Sequence, residues 1–268
     1  MTIAAGIDVG STYIKVILLD ERCTVVARCM KPTGFKLAET ARAAYEEALV
    51  SAGLGESEVA YVISTGIGRH QVPFKNVHVT DLTASARGAV HLFPGTRTVL
   101  DVGGQTMKVT RLDENGRVAS FRLNDKCAAG TGAFIEKTAR YMGYGTAEIG
   151  PLMSTSKAPV PISGVCAVFA ESEVINHLSL GTAPAEIMQG AVESLTTRCI
   201  QLIRRLNGVP EYTLIGGILR FETMGRAVRE QLKCSANVPA PDTVQFVPAL
   251  GAAILAHRRL ARLQAERR

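Results

Sequence analysis

The sequence has no run of about 18 apolar residues, so no helix is expected to span a membrane. Residues Met1 to Ile7 lack a basic n-region and a cleavage site, and no signal peptide is expected. The expected location is therefore cytoplasmic. No low-complexity stretch or linker stands out, and no nucleic-acid module is present. Cysteine is sparse, with 6 residues: Cys23, Cys29, Cys127, Cys166, Cys199 and Cys234. Without a secretory signal, such a set does not make a disulfide framework. The histidines His70, His78, His91, His177 and His257 show no metal-ligand spacing and read as surface or satisfied helix positions.

What is present fits an ordinary globular protein. Hydrophobic residues make up 47% of the 268 positions and charged residues 20%. That length suits one large domain or two lobes with a sizeable core. The net charge is +6, and Arg258, Arg259, Arg262, Arg267 and Arg268 carry much of it. Arginines at the end of a helix suit the helix dipole and read as a solvated face rather than a nucleic-acid surface. Cys23, Cys29, Cys199 and Cys234 sit in apolar or helical stretches and read as small core residues.

The chain repeats itself once. IDVGSTYIKVILLD (7–20) is matched by LDVGGQTMKVTRLD (100–113), so that Asp8 falls on Asp101, Gly10 on Gly103, Lys15 on Lys108 and Asp20 on Asp113. Each copy reads as a strand, a glycine turn and a second strand. A third strand is expected at 23–29 and at 117–123, the latter after the Asn115-Gly116 turn. Helical spacing predicts helices at 35–52, 134–142, 185–206, 221–232 and 248–263, and strands are expected at 59–64, 77–79 and 212–215. A duplicated three-stranded unit predicts an α/β protein with two similar lobes facing a cleft. The expected lobes are 1–96 with the helix at 248–268, and 97–247 with Cys127 and Cys166.

The turn Asp8-Val9-Gly10-Ser11-Thr12 places a carboxylate at the end of an apolar strand, followed by small residues. Glycine lets the backbone approach a phosphate, and the amides of such a turn point at its oxygens. Lys15 adds a positive charge, and Asp8 suits magnesium, usually through water. The second turn, Asp101-Val102-Gly103-Gly104-Gln105, repeats the arrangement. One such turn alone reads first as a plain hairpin; two matched copies reverse that and favour a polyphosphate site. Leu214-Ile215-Gly216-Gly217 ends a strand just before a helix and suits an adenosine lying against the backbone.

Together these motifs resemble the sugar-kinase, actin and heat-shock-protein-70 superfamily, with phosphate motifs at 8–15 and 101–108 and an adenosine motif at 215–218. The resemblance implies a two-lobed ATPase fold with duplicated mixed sheets, binding ATP and Mg2+. Carried over position by position, it makes Asp8, Asp101 and Gln105 catalytic, with Gln105 placing the attacking water or the terminal phosphate. It makes Gly10, Ser11, Thr12, Tyr13, Ile14, Lys15, Gly103, Gly104, Gly216 and Gly217 the nucleotide contacts.

Cys127 lies in NDKCAAGTG (124–132), just ahead of a predicted helix, and Cys166 in GVCAVFAESE (164–173), where small residues also precede a helix-like run. A helix N-terminus favours a thiolate and offers amides to cluster sulfurs. Two buried free cysteines are the plain alternative. An iron–sulfur cluster usually takes four thiolates, so two per chain make half a set, and a symmetric dimer completes it.

These cysteine segments closely resemble the BadF/BadG/BcrA/BcrD ATPase family, which includes the activators of 2-hydroxyacyl-CoA dehydratases and the ATPase subunits of class I benzoyl-CoA reductase. The resemblance implies that Cys127 and Cys166 bind a [4Fe-4S] cluster bridging two subunits, and that ATP hydrolysis drives an electron from it to a partner at low potential. It implies as partners a homologous ATPase subunit, in a homodimer or heterodimer, and an acyl-CoA reductase or dehydratase component. A small carrier of the ferredoxin type would supply the electron. Gln245 matches a glutamine near the family's nucleotide. FKLAE (35–39) and ARGAVHLFP (86–94) are similar to the smaller benzoyl-CoA reductase ATPase subunit, and DVGGQ and NDKCAAGTG equally to the activators. Thr106 departs from the aspartate common after DIGGQ, and Ile218-Leu219 from the usual valine and small residue. The expected function is ATP-dependent low-potential electron transfer through the bridging cluster to a partner acyl-CoA reductase component, as an ATPase subunit of benzoyl-CoA reductase. The alternatives are an activator of a 2-hydroxyacyl-CoA dehydratase, a small-molecule kinase that would need neither cysteine motif, and a non-enzymatic nucleotide-binding regulator.

Overall fold

The computed structural model of the chain describes residues 2–124, 131–163 and 167–266. Cys127 and Cys166 lie outside the described residues. The chain divides into two units, one of residues 1–96, 112–118 and 246–268, the other of residues 97–111 and 119–245.

In the first unit, β1 (Ile3–Val9), β2 (Tyr13–Leu19), β3 (Val25–Pro32), β4 (Val59–Thr65) and β5 (Val77–His78) form one sheet in the order β3-β2-β1-β4-β5. β1 is antiparallel to β2 and parallel to β4. Every residue of β1 is buried, because both faces of the sheet are covered. Ile3, Ala5, Ile7 and Val9 pack with Ala41, Ala44, Tyr45 and Ala48 of α1 (Leu37–Ala52). Ala4 on the opposite face packs with Ala252 and Ala256 of α8 (Val247–Glu266). Gly6 lies so close to α8 that a β-carbon there would overlap the Ala249 carbonyl. α1 ends at Gly53, whose φ of 66° is the left-handed cap that glycine favours.

α2 (Asp81–Leu92) was not expected, because the side it buries carries only the small residues Ala84, Ser85, Ala86, Gly88 and Ala89. Its contact with α8 is made by small residues instead: a β-carbon on Gly88 would strike the Val247 carbonyl, and one on Gly251 the Ala84 carbonyl. The backbones meet where side chains would otherwise supply the pattern.

The second unit carries β6 (Thr98–Val102), β7 (Met107–Leu112), β8 (Val118–Asn124), β9 (Tyr212–Ile215) and β10 (Ala236–Asn237), ordered β10-β9-β6-β7-β8. The order of the first sheet is thus repeated, again with a first strand antiparallel to its hairpin partner and parallel to the fourth. The core gathers on α6 (Pro184–Arg205), where Ile187, Met188, Val192, Leu195 and Cys199 meet Phe134 and Ile135 of α3 (Gly132–Tyr141) and Met224 and Val228 of α7 (Glu222–Leu232). α4 (Ile149–Ser154) and α5 (Ala167–Ser179) complete the unit.

The duplication extends to single hydrogen bonds. Asp20 Oδ1 accepts from the amides of Arg22 (2.9 Å) and Thr24 (2.8 Å), and Asp113 Oδ1 from those of Asn115 (2.9 Å) and Arg117 (2.8 Å). Cys23 occupies the left-handed position (φ 60°) that Gly116 (φ 68°) holds in the other turn. This corrects two expectations. The third strand starts at Val25 because Cys23 belongs to the turn, and Cys23 is half-buried rather than core. Cys234, just past the end of α7, is exposed. Cys29 and Cys199 are core residues, and burial pushes their thiols up to about 11 and about 12.

Candidate nucleotide site

β1 runs out at Val9, and the antiparallel register pairs Asp8 with Lys15 across the hairpin. Lys15 Nζ donates to Asp8 Oδ2 at 2.9 Å, with the two side chains only 15% and 8% exposed. The Gly10 amide donates to the Tyr13 carbonyl at 3.1 Å, and a β-carbon on Gly10 would stand 2.7 Å from that oxygen and 3.1 Å from Lys15 Nζ. Only glycine leaves the tip of this turn open. The Thr33 hydroxyl donates to the Gly10 carbonyl (2.8 Å), and its amide to the Thr12 carbonyl (3.0 Å), which fixes the turn from behind. Ser11, Thr12 and Tyr13 are half-buried, whereas the Ile14 side chain belongs to the core beneath the turn.

The second unit repeats the design. Asp101 pairs with Lys108 in the register, and the Gly103 amide donates to the Thr106 carbonyl at 2.9 Å. Gln105 is exposed at the tip. This turn has one connection that the first lacks. The carbonyls of Gly103 and Gly104 accept from the amides of Gly132 (3.0 Å) and Ala133 (2.8 Å), the first residues of α3. Amides at a helix start have no partner inside the helix, and here the glycine turn supplies one. α3 in turn holds α5: Lys137 Nζ donates to Glu171 Oε2 at 2.7 Å, with Tyr141 Oη 3.5 Å from the same oxygen. The carboxylate raises the pKa of Lys137. Glu173 of α5 accepts from the Ser163 amide.

At the carboxyl end of β9, Gly216 has φ 105° and lies against the Val102 backbone, where any β-carbon would collide. Its amide donates to the Val244 carbonyl at 3.1 Å. Gln245 Oε1 would lie 3.7 Å from a β-carbon on Gly217. Within this unit Asp101, Gly103, Gly104, Gly216, Gly217 and Gln245 therefore gather at the carboxyl ends of neighbouring parallel strands, where open α/β sheets bind ligands. In the first unit, the loop after β4 was missed. Gly66 (φ 87°) lies against Val9 there as Gly216 does against Val102, and the glycines at 66 and 68 were its signal.

No group of three or more His, Cys, Asp or Glu able to hold a metal occurs among the described residues. No helix among them is long and apolar enough to cross a membrane.

Two five-stranded mixed sheets in one strand order, each with an aspartate–glycine turn, make a fold of the actin, heat-shock-protein-70 and sugar-kinase type, which glucose-phosphorylating kinases share. Residues 5–256 match the model of the BadF/BadG/BcrA/BcrD ATPase family, and the chain belongs to that family. It is 35% identical over 258 residues to the (R)-2-hydroxyglutaryl-CoA dehydratase activating ATPase of Acidaminococcus fermentans, covering 96% of this chain and 98% of that one. It is also 35% identical to one of the subunits of benzoyl-CoA reductase from Thauera aromatica, covering 98% of this chain and 97% of that one. The solved activator of the 2-hydroxyisocaproyl-CoA dehydratase from Clostridium difficile, with bound ADPNP, superposes with a TM-score of 0.93 at 34% identity, covering 99% of this chain and 98% of that one.

Proposed function

We propose that the chain couples ATP hydrolysis to delivery of low-potential electrons to an acyl-CoA reductase or dehydratase component. Relatives at equal identity carry the names of a dehydratase activator and of a reductase subunit, and both names refer to acyl-CoA chemistry. The observation that carries the reading is the bonding of the phosphate-type turn at Gly103–Gly104 to the start of α3.

The residues fit a magnesium-bound polyphosphate. Asp8 is a buried carboxylate at a strand end, and the turn beside it has no β-carbon at its tip. Asp101 takes the same place in the second unit, and Gln105 is exposed at the tip, where it can place a water. Gly216, Gly217 and Gln245 form the surface for adenosine. Oriented amides and a positive side chain stabilise charge on a phosphoryl group as it transfers.

Cys127 and Cys166 are proposed to hold a [4Fe-4S] cluster together with the same pair from a homologous subunit, with a ferredoxin-type carrier as donor. Thiolate donors suit such a cluster, which stores and releases one electron. The chain's own part is mechanical. A shift of the Gly103–Gly104 carbonyls on hydrolysis pulls the first amides of α3, which follows the Cys127 segment directly in sequence. α3 carries the shift to α5 through Lys137 and Glu171, and α5 begins directly after Cys166 in sequence.

The test is anaerobic purification with iron analysis and electron paramagnetic resonance. The wild-type chain is expected to be brown, with about two irons per chain and a reducible four-iron signal. Cys127→Ser and Cys166→Ser are each expected to lose the signal and keep ATP binding. A wild-type chain that takes up no iron under anaerobic reconstitution contradicts the proposal.

A further inference from the structure

β4 ends at Thr65, and the loop Gly66-Ile67-Gly68-Arg69 follows; neither has a role in the nucleotide chemistry proposed above. Thr65 is 0% exposed, and among the described residues nothing partners its Oγ1. A buried hydroxyl without a partner is a net cost to the fold, so its retention points to something it bonds in the working state.

Its position says what. β1 and β4 are parallel, and the register sets Ala4 against Tyr61, Gly6 against Ile63 and Asp8 against Thr65. Paired residues share a face of a sheet. Tyr61, Ile63 and Ala4 pack together on the side that α8 covers, so Asp8 and Thr65 are the last pair of that row, at the carboxyl ends of both strands. α8 passes from Ala256 and Ala252 near Ala4 to Ala249 over Gly6, so its amino end points toward the same place.

The loop is built to keep this place narrow. A β-carbon on Gly66 would stand 2.5 Å from Asp8 Oδ1, and the Gly68 amide donates to the Val9 carbonyl at 3.0 Å. Arg69 Nη1 donates to the Gly66 carbonyl at 3.0 Å, and the Ser64 hydroxyl to the Arg69 carbonyl at 2.7 Å. Asp8 Oδ2 is occupied by Lys15, while Oδ1 faces Gly66, the residue next to Thr65.

We propose that Thr65 is a positioning residue of the metal–nucleotide site: its hydroxyl bonds a water molecule coordinated to the magnesium ion beside Asp8. The inference rests on the nucleotide reading above and adds to it a specific dependence on magnesium. Magnesium keeps several of its waters when it binds a carboxylate and phosphates, and those waters need acceptors. A threonine hydroxyl accepts a hydrogen bond from such a water.

The experiment measures binding of a non-hydrolysable ATP analogue to the full chain by calorimetry, with magnesium and with EDTA. Thr65→Val keeps the shape and removes the hydroxyl; Thr65→Ser keeps the hydroxyl. Thr65→Val is expected to lose about tenfold in affinity with magnesium and to match wild type with EDTA, while Thr65→Ser stays close to wild type in both. Thr65→Val is also expected to melt no lower than wild type, and Thr65→Ala serves if it folds poorly. Equal affinities for Thr65→Val and wild type in magnesium would overturn the proposal, as would a loss of the same size with and without metal. Failure of the wild-type chain to bind the analogue at all would instead overturn the nucleotide reading.

Discussion

Asp8 and Lys15 depend on each other more than most ion pairs do. Both are nearly removed from water, so deleting one leaves the other's charge buried alone. Lys15→Met is therefore expected to cost about 3 kcal/mol in urea denaturation, well above the 0–1 kcal/mol typical of surface pairs. The glycines make a separate prediction. Gly66→Ala and Gly216→Ala each force a β-carbon into backbone at positive φ, and each should cost more than about 2 kcal/mol. Gly53→Ala, also at positive φ but with nothing near its missing side chain, should cost only about 1 kcal/mol. At this scale much of the first turn was legible. Asp8, Gly10 and Lys15 announce themselves by residue type and spacing. Thr65 did not, because a lone buried threonine on a strand looks like any other. Its missing hydrogen-bond partner is visible only in three dimensions.

Helices and loops carry the consequences of those residues outward. α3 stands between the Gly103–Gly104 turn and α5, and the ion pair of Lys137 with Glu171 ties it to α5. Lys137→Met is expected to leave ATP turnover within about twofold and to lower the electrons delivered per ATP, because the exposed pair adds little stability but transmits position. The loop before Cys166 has its own anchor. Glu186 in the first turn of α6 accepts from the Ser156 hydroxyl and from the amides of Lys157 and Ala158. These bonds, the serine's foremost, hold its pKa below the usual 4.5. Its contribution is thus complete above the pH where an unfolded glutamate titrates and fades as pH falls through the lower folded value. Thermal melts from pH 7 down to about pH 3 should show wild type losing stability fastest below about pH 4.5, and Glu186→Gln should start lower and fall less steeply. Most elements were legible from apolar periodicity, including β9 at 212–215. α2 was not, since its buried side carries small residues, Ala84, Gly88 and Ala89 among them. The Glu186 anchor was not legible either, because its partners lie far away in sequence.

The whole chain is one plan used twice. The repeated aspartate–glycine turn predicted two mixed sheets, and the sheets share strand order, hairpin register and even the hydrogen bonds of the Asp20 and Asp113 turns. The copies diverge where function is proposed to enter. The first carries Thr65 and the loop after it, and the second ties its turn to α3, which follows the Cys127 segment in sequence. Sequence alone named those cysteines, while the tie between turn and helix needed coordinates. In the proposed mechanism ATP hydrolysis is felt at Cys127 and Cys166. It is tested most directly by anaerobic single-turnover transfer from the reduced protein to an acyl-CoA reductase or dehydratase component, followed with and without ATP. The wild-type chain is expected to deliver its electron only with ATP, and Cys166→Ser to hydrolyse ATP without delivering any. Full ATP-dependent delivery by Cys166→Ser would contradict it.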